Sequence, residues 1–270
     1  MKLLIDPRGG MAGDMFSAAL VSAGADFKCL QEVMLAAGQK LGSAQINIKE
    51  TPDGAFQLSI KLDSARNHLG GSEAREILSE LFDRFDIREQ YRNLGMNILE
   101  ILIKAEVRAH KEFNIVLADD HSHAHAPEHD HNHKHPHEEE AFLHEAQDIV
   151  IDIMGAVSGL QQLAIEPAAE LLAPVSVGGG HVHFSHGTLP VPAPAAAIIL
   201  EQYGIQWKKG PINVELFTPT GAAILAALGS KVNPAINLET LDIKATGLAR
   251  GTKILDIPPL KIFQYKMVYL

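Results

Sequence analysis

The residues best equipped for chemistry are histidines. His121, His123, His125, His129, His131, His133, His135 and His137 fall within one short stretch. Imidazole ligates nickel, zinc and copper, so the tract indicates a divalent transition metal without choosing among the three. Alternate spacing, as in His129-Asp-His-Asn-His-Lys-His135, lets an extended chain turn several rings to one side. Pro127 and Pro136 oppose helix. Asp119, Asp120, Glu128, Asp130 and Glu138 to Glu140 add oxygen ligands and negative potential. The tract has almost nothing apolar to bury, so the expectation is a flexible metal-binding loop over 119–138, disordered without metal. Exchanging geometries of this kind suit collection or delivery better than catalysis.

Ordered candidates flank the tract. His144, Asp148 and Asp152 recur every four residues and would share one helix face, opposite an apolar stripe of Phe142, Ala146, Ile149, Ile153, Val157 and Leu160. A histidine and two carboxylates so spaced can hold a divalent ion; the same pattern also describes a plain solvent face. Gly155 and Gly159 continue the line and would let a ligand or another chain approach the backbone. His181, His183 and His186 follow Gly178-Gly-Gly180. On a strand His181 and His183 point to one side, and His186-Gly187 would start a turn. Each is a metal or catalytic candidate, or simply a satisfied polar side chain.

Two segments resemble phosphate sites. Asp6, Gly10, Gly13 and Asp14 lie on a strand, a glycine-rich loop and a helix start, which together make an anion cradle. The pattern is neither a Walker A loop nor GxGxxG, and Asp14 reads either as a ligand to a phosphate-bridging metal or as a helix cap. Thr218-Pro-Thr220-Gly221 carries the same two readings, phosphate contact or cap.

The elements that must position these residues are legible in outline. Strands are expected at Lys2 to Asp6, Ala44 to Lys49, Phe56 to Leu62, Ala173 to Val177, Leu241 to Thr246 and Leu260 to Val268, with a flexible loop over Pro7 to Gly13. Helices are expected at Asp14 to Ala23, Cys29 to Ala37, Ser72 to Phe82, Arg88 to Phe113, along the Phe142 stripe, from Pro194 to about Tyr203, and from Pro219 to Leu228. The fold class is α/β or α+β, a mixed sheet with packed helices and a disordered His-rich insert. Strand order does not follow from these patterns.

Composition limits the function classes. Apolar residues make up 46% of the 270, enough for a sizeable core, and the net charge is −10. No basic patch follows a phosphate backbone, so no nucleic acid polymer is expected as partner. Cys29 is the only cysteine, which excludes an intrachain disulfide and a cysteine-based zinc site. No secretory leader or membrane span is read, so a cytoplasmic protein away from the membrane is the default.

The chain resembles the N-terminal part of the LarC-type nickel-insertion proteins. The matching pieces are Gly13-Asp14-Met15, the His-rich insert, His144-Glu145, Asp148-Ile-Val-Ile-Asp152-Ile-Met-Gly155, Gly178-Gly-Gly180, His186-Gly-Thr-Leu-Pro-Val-Pro-Ala-Pro194 and Glu215-Leu-Phe-Thr-Pro-Thr-Gly-Ala-Ala-Ile224. They run in the family's order over nearly the whole chain, residues 1–270 forming one module. The resemblance implies insertion of Ni²⁺ into pyridinium-3,5-bisthiocarboxylic acid mononucleotide, the precursor of the nickel-pincer cofactor of lactate racemase-type enzymes. Two thiocarboxylate sulfurs and ring carbon C4 become ligands, so the C4 proton needs a base. His186 is the expected base, with His144, Asp148 and Asp152 as an ordered nickel site, and Asp14 with Thr218 to Gly221 receiving phosphate.

The family couples insertion to CTP, with Mg²⁺ or Mn²⁺, through a C-terminal domain. Here the chain stops at Leu270, so the expectation is a separate C-terminal partner chain, with an apo lactate racemase-like enzyme as client and a homo-oligomer left open. The segment after His144-Glu145 is shorter than the family's, and Phe184 stands where many relatives have cysteine. The competing expectation is a nickel or zinc storage and delivery protein with no chemistry of its own.

Overall fold

The computed structural model describes residues 1–63, 69–113, 142–143, 148–184 and 187–266. In chain order the elements are β1 (Lys2–Asp6), α1 (Gly13–Ser22), α2 (Phe27–Leu41), β2 (Ser43–Glu50), β3 (Phe56–Asp63), β4 (Leu69–Gly70), α3 (Gly71–Arg84) and α4 (Glu89–Phe113). After the histidine tract come β5 (Phe142–Leu143), α5 (Ile149–Gln162), β6 (Ala169–Leu171), β7 (Val175–Gly178), β8 (His181–Phe184) and β9 (Gly187–Pro190). The last are α6 (Pro194–Gln202), β10 (Trp207–Lys209), α7 (Pro219–Ala227), β11 (Lys231–Val232), β12 (Asp242–Ala249) and β13 (Leu260–Lys266).

Seven strands form one mixed sheet in the order β11-β6-β1-β13-β12-β3-β2. β1 runs parallel to β6 and antiparallel to β13, so the architecture is mixed α/β. Leu3, Leu4 and Ile5 are all buried, which requires cover on both faces of β1. Leu3 and Ile5 join the main core with the helices. Leu4 packs with Phe263 and Tyr265 in a smaller cluster under Leu172, Ile236, Leu238, Leu241 and Ile243.

The centre of the helical layer is α5, which packs against α1, α2 and α4. Every residue from Ile149 to Leu160 is buried, because the helix is apolar almost all round and has no face to offer to water. Gly155 and Gly159 set how closely its neighbours approach. A Cβ on Gly155 would lie 2.4 Å from Ser17 Oγ and 3.0 Å from Met34 Sδ, and one on Gly159 would lie 2.8 Å from Leu20 Cδ1. The small-residue line therefore seats the chain's own helices, which corrects the expectation that it admits a ligand or a second chain.

Other expectations are corrected here. The helix begins at Ile149, and Phe142 instead pairs with Gly70 across β4 and β5. The strand expected at Ala173 to Val177 is β7, which begins after Pro174, and β6 before it was not expected. Gly187 pairs with Phe184 at the start of β9, and His186, expected to begin a turn with Gly187, lies outside the described residues. The segment after β1 is a tight 3-10 turn, Pro7–Gly9, not a flexible loop: Gly10 N–H donates to the Pro7 carbonyl at 3.0 Å and Met11 N–H to the Leu216 carbonyl at 2.8 Å. No helix among the described residues is long and apolar enough to cross a membrane.

Candidate functional site

The site is built from helix starts. Met11 and Phe217 form an isolated parallel bridge, and Thr218 N–H donates to the Met11 carbonyl at 3.2 Å. This sets the beginnings of α1 and α7 side by side. Gly221 permits the contact, since a Cβ there would lie 2.3 Å from the Met11 carbonyl oxygen. Thr218 is the N-cap of α7, its Oγ1 accepting from Gly221 N–H at 3.2 Å, and Pro219 occupies the first turn, where its missing N–H costs nothing.

A cleft of about 880 Å³ opens where these starts meet. Its walls include Gly13 and Asp14 at the start of α1, Asp148 and Asp152 of α5, Pro194 of α6, and Thr218 and Thr220 of α7. Glu106 and His110 of α4, His181 of β8, Arg250 and Lys253 complete it. The volume lies within the range of small-molecule sites.

Three carboxylates converge at one end. Asp148 caps α5 in position, and Asp152 lies one turn on, only 4% exposed. Asp14 joins them from α1, its Oδ1 accepting from Met15 N–H at 2.7 Å. Gly13 makes the junction sterically possible: a Cβ there would lie 2.1 Å from Asp152 Oδ2. None of the three is ion-paired to a described lysine, arginine or histidine, and Asp152 Oδ1 is buried with no hydrogen-bond donor among the described residues. Burial therefore raises the pKa of Asp14 to about 6, helped by the charge of Asp148 and opposed by the Met15 N–H. Burial raises Asp148 as well. Asp152 is pushed well above the carboxylate range, by burial first and then by its two acidic neighbours. Carboxylates so placed stay charged only beside a cation.

The structure thus brings together residues that the sequence reading had separated, Asp14 as a phosphate-side residue and Asp148 with Asp152 as a nickel pair. Among the described residues no three His, Cys, Asp or Glu already close on a single metal position. Of the remaining expected ligands, His181 lines the cleft. His183 lies on β8. His144, His186 and the tract His121 to His137 lie outside the described residues.

Of the expected anion cradle, Gly13 and Asp14 line the cleft, while Asp6 and Gly10 are taken up inside the fold. Asp6 is buried and its carboxylate is taken by Arg8, whose Nε and Nη2 donate at 2.8 and 2.6 Å. Gly10 (φ 81°) lies against the Leu216 carbonyl, which a Cβ would meet at 2.0 Å. Asp152 fills the space beside Gly13. Sequence reasoning missed Glu106 and His110. Their i, i+4 spacing near the end of the long helix was the available signal.

The chain belongs to the nickel insertion protein family, whose sequence pattern matches residues 3–120 and 121–264. It is 30% identical over 259 residues to a pyridinium-3,5-bisthiocarboxylic acid mononucleotide nickel insertion protein of Desulfitobacterium hafniense, covering 95% of this chain and 56% of that protein. The like-named protein of Staphylococcus saprophyticus is 28% identical over 269 residues, covering 97% of this chain and 59% of the relative. An archaeal relative from Methanothrix thermoacetophila is 32% identical over 232 residues, 83% of this chain and 49% of the relative. The chain therefore spans about half to three-fifths of the length of these curated relatives. No solved structure shows a significant match.

Proposed function

We propose that this chain inserts Ni²⁺ into pyridinium-3,5-bisthiocarboxylic acid mononucleotide, acting as a cyclometallase. The observation that carries the reading is the cluster of Asp14, Asp148 and Asp152, uncompensated and facing a cleft of nucleotide size, in a member of the nickel insertion family. Nickel is the substrate. The tract His121 to His137 collects it, and the three carboxylates receive it with His144. Oxygen ligands alone suit harder ions, so imidazole is what favours nickel here, and His181 and His110 both line the cleft.

In the insertion step the C4–H bond of the pyridinium ring breaks, a C4–Ni bond forms and the two thiocarboxylate sulfurs complete the chelate. The proton passes to a neutral imidazole, which titrates near neutral pH. His186 is assigned this role. It sits in sequence between the paired residues Phe184 and Gly187, and the hairpin they close contributes His181, Val182 and Leu189 to the cleft.

The test incubates purified protein with Ni²⁺ and the unmetallated nucleotide, with and without CTP and a C-terminal family domain, and reads activation of apo lactate racemase. Activation that falls with Asp152→Asn and His186→Ala supports the reading. Tight nickel binding without activation under any of these conditions would leave a storage protein.

A further inference from the structure

Four helices, each of nine residues or more, begin at the walls of the cleft, and their ends are not alike. The starts of α1 and α5 carry Asp14, Asp148 and Asp152. The starts of α6 and α7 carry no acidic residue in the first turn. Each uncompensated helix start is equivalent to roughly +0.5 charge. Ala195 N–H and Thr220 N–H have no acceptor among the described residues. Lys253, exposed, and Arg250, held by Asp53 at 2.6 Å, line the cleft too.

Thr220 supplies a separate observation. It is only 7% exposed, yet it lines the cleft, and its hydroxyl makes no hydrogen bond to any described residue. It is also absent from the fully enclosed unpartnered groups, Ser17, Asp152 and Ser230, so the hydroxyl keeps its access to the cleft. A buried hydroxyl left without a partner at a helix start is suited to donate to a ligand oxygen.

We propose that the α6–α7 end of the cleft is a phosphomonoester subsite built on Ala195 N–H, Thr220 N–H and the Thr220 hydroxyl, with Lys253 as the mobile counter-charge. A phosphomonoester carries about −1.5 to −2 charge at neutral pH. Asp14, Asp148 and Asp152 repel it, and the neighbouring starts of α6 and α7, which carry no acid in their first turns, attract it. The subsite therefore orients a pyridinium mononucleotide with its phosphate at α7 and its ring toward Asp14, Asp148 and Asp152. This inference rests on the insertion reading and adds the direction in which the substrate lies.

The experiment is calorimetric titration of the full chain, without nickel, using nicotinamide mononucleotide and its dephosphorylated riboside as probes. The mononucleotide is expected to bind at least tenfold more tightly. Thr220→Val, which keeps the shape and removes the hydroxyl, lowers that ratio at least threefold at unchanged Tm; Thr220→Ser restores it, and Lys253→Ala lowers it independently. Equal affinities, no binding of the mononucleotide at millimolar concentration, or a ratio indifferent to both Thr220→Val and Lys253→Ala would overturn the subsite. Failure here is separable from failure of the insertion reading: phosphate preference without insertion activity removes only the function, and insertion without phosphate preference removes only the subsite.

Discussion

Asp14→Asn should stabilise the metal-free protein at neutral pH while weakening its hold on nickel. Asn keeps the Oδ1 that accepts from Met15 N–H, so the local turn is preserved. What it removes is a charge that burial and Asp148 hold at a pKa of about 6, against an ordinary value of 3.8. A carboxyl whose folded pKa is raised binds its proton more tightly in the folded state. Its penalty is absent below about pH 3.8, grows as the unfolded state ionises first, and levels off above about pH 6. At 1.36 kcal/mol per pKa unit the penalty is about 0.6 kcal/mol at pH 4, about 1.6 at pH 5 and about 3 at pH 7.5. Burial raises Asp148 and Asp152 as well and the three share the repulsion, so about 3 kcal/mol is an upper bound. For a chain of this size that is a Tm gain of up to roughly 6–12 °C at pH 7.5, shrinking towards zero by pH 4. The assay is thermal unfolding of both proteins in chelator across this pH range, repeated with nickel. Added nickel should stabilise the wild-type protein above pH 6 and the variant much less, because metal and proton compete for the same oxygens. A variant less stable than wild type at pH 7.5, or a gain that does not vary with pH, would refute the reasoning.

Further outcomes follow from packing and from the loop. Gly13→Ala places a Cβ 2.1 Å from Asp152 Oδ2 and should lower nickel affinity at least tenfold by isothermal titration. Gly155→Ala forces α5 away from Ser17 and Met34, and denaturant unfolding should show a loss of about 1–3 kcal/mol despite the better helix propensity of alanine. Deletion of residues 119–138 should reduce racemase activation when nickel is limiting and spare it when nickel is abundant; loss at saturating nickel would put the tract inside the mechanism.

What the sequence shows and what it hides divide along physical lines. Thr218-Pro219, Pro194 and the short run Leu3-Leu4-Ile5 carry their structural signals within a few residues, and the corresponding elements stand where those signals place them. The helical stripe of α5 was legible, but its start was not, because Phe142 has the right spacing for helix and is instead taken by a strand pair with Gly70. The burial of Asp152 was hidden for a related reason. Periodicity marks the face opposite the apolar stripe as polar, but whether another helix covers that face depends on tertiary packing. The meeting of Asp14 with Asp148 and Asp152 depends on α1 packing against α5, and no local spacing encodes it. The glycine-rich start resembles an anion cradle by composition, and only the packing of Leu216 against Gly10 and of Asp152 against Gly13 shows how closely its glycines are approached.

The proposed mechanism depends on where the nickel sits. Anomalous diffraction at the nickel edge, from crystals of the chain lacking 119–138 and soaked with Ni²⁺ above pH 7, locates it directly. The prediction is a peak bounded by the carboxylates of Asp14, Asp148 and Asp152, lost in the Asp152→Asn protein. A nickel peak elsewhere in the ordered chain, with the three carboxylates empty, would contradict it.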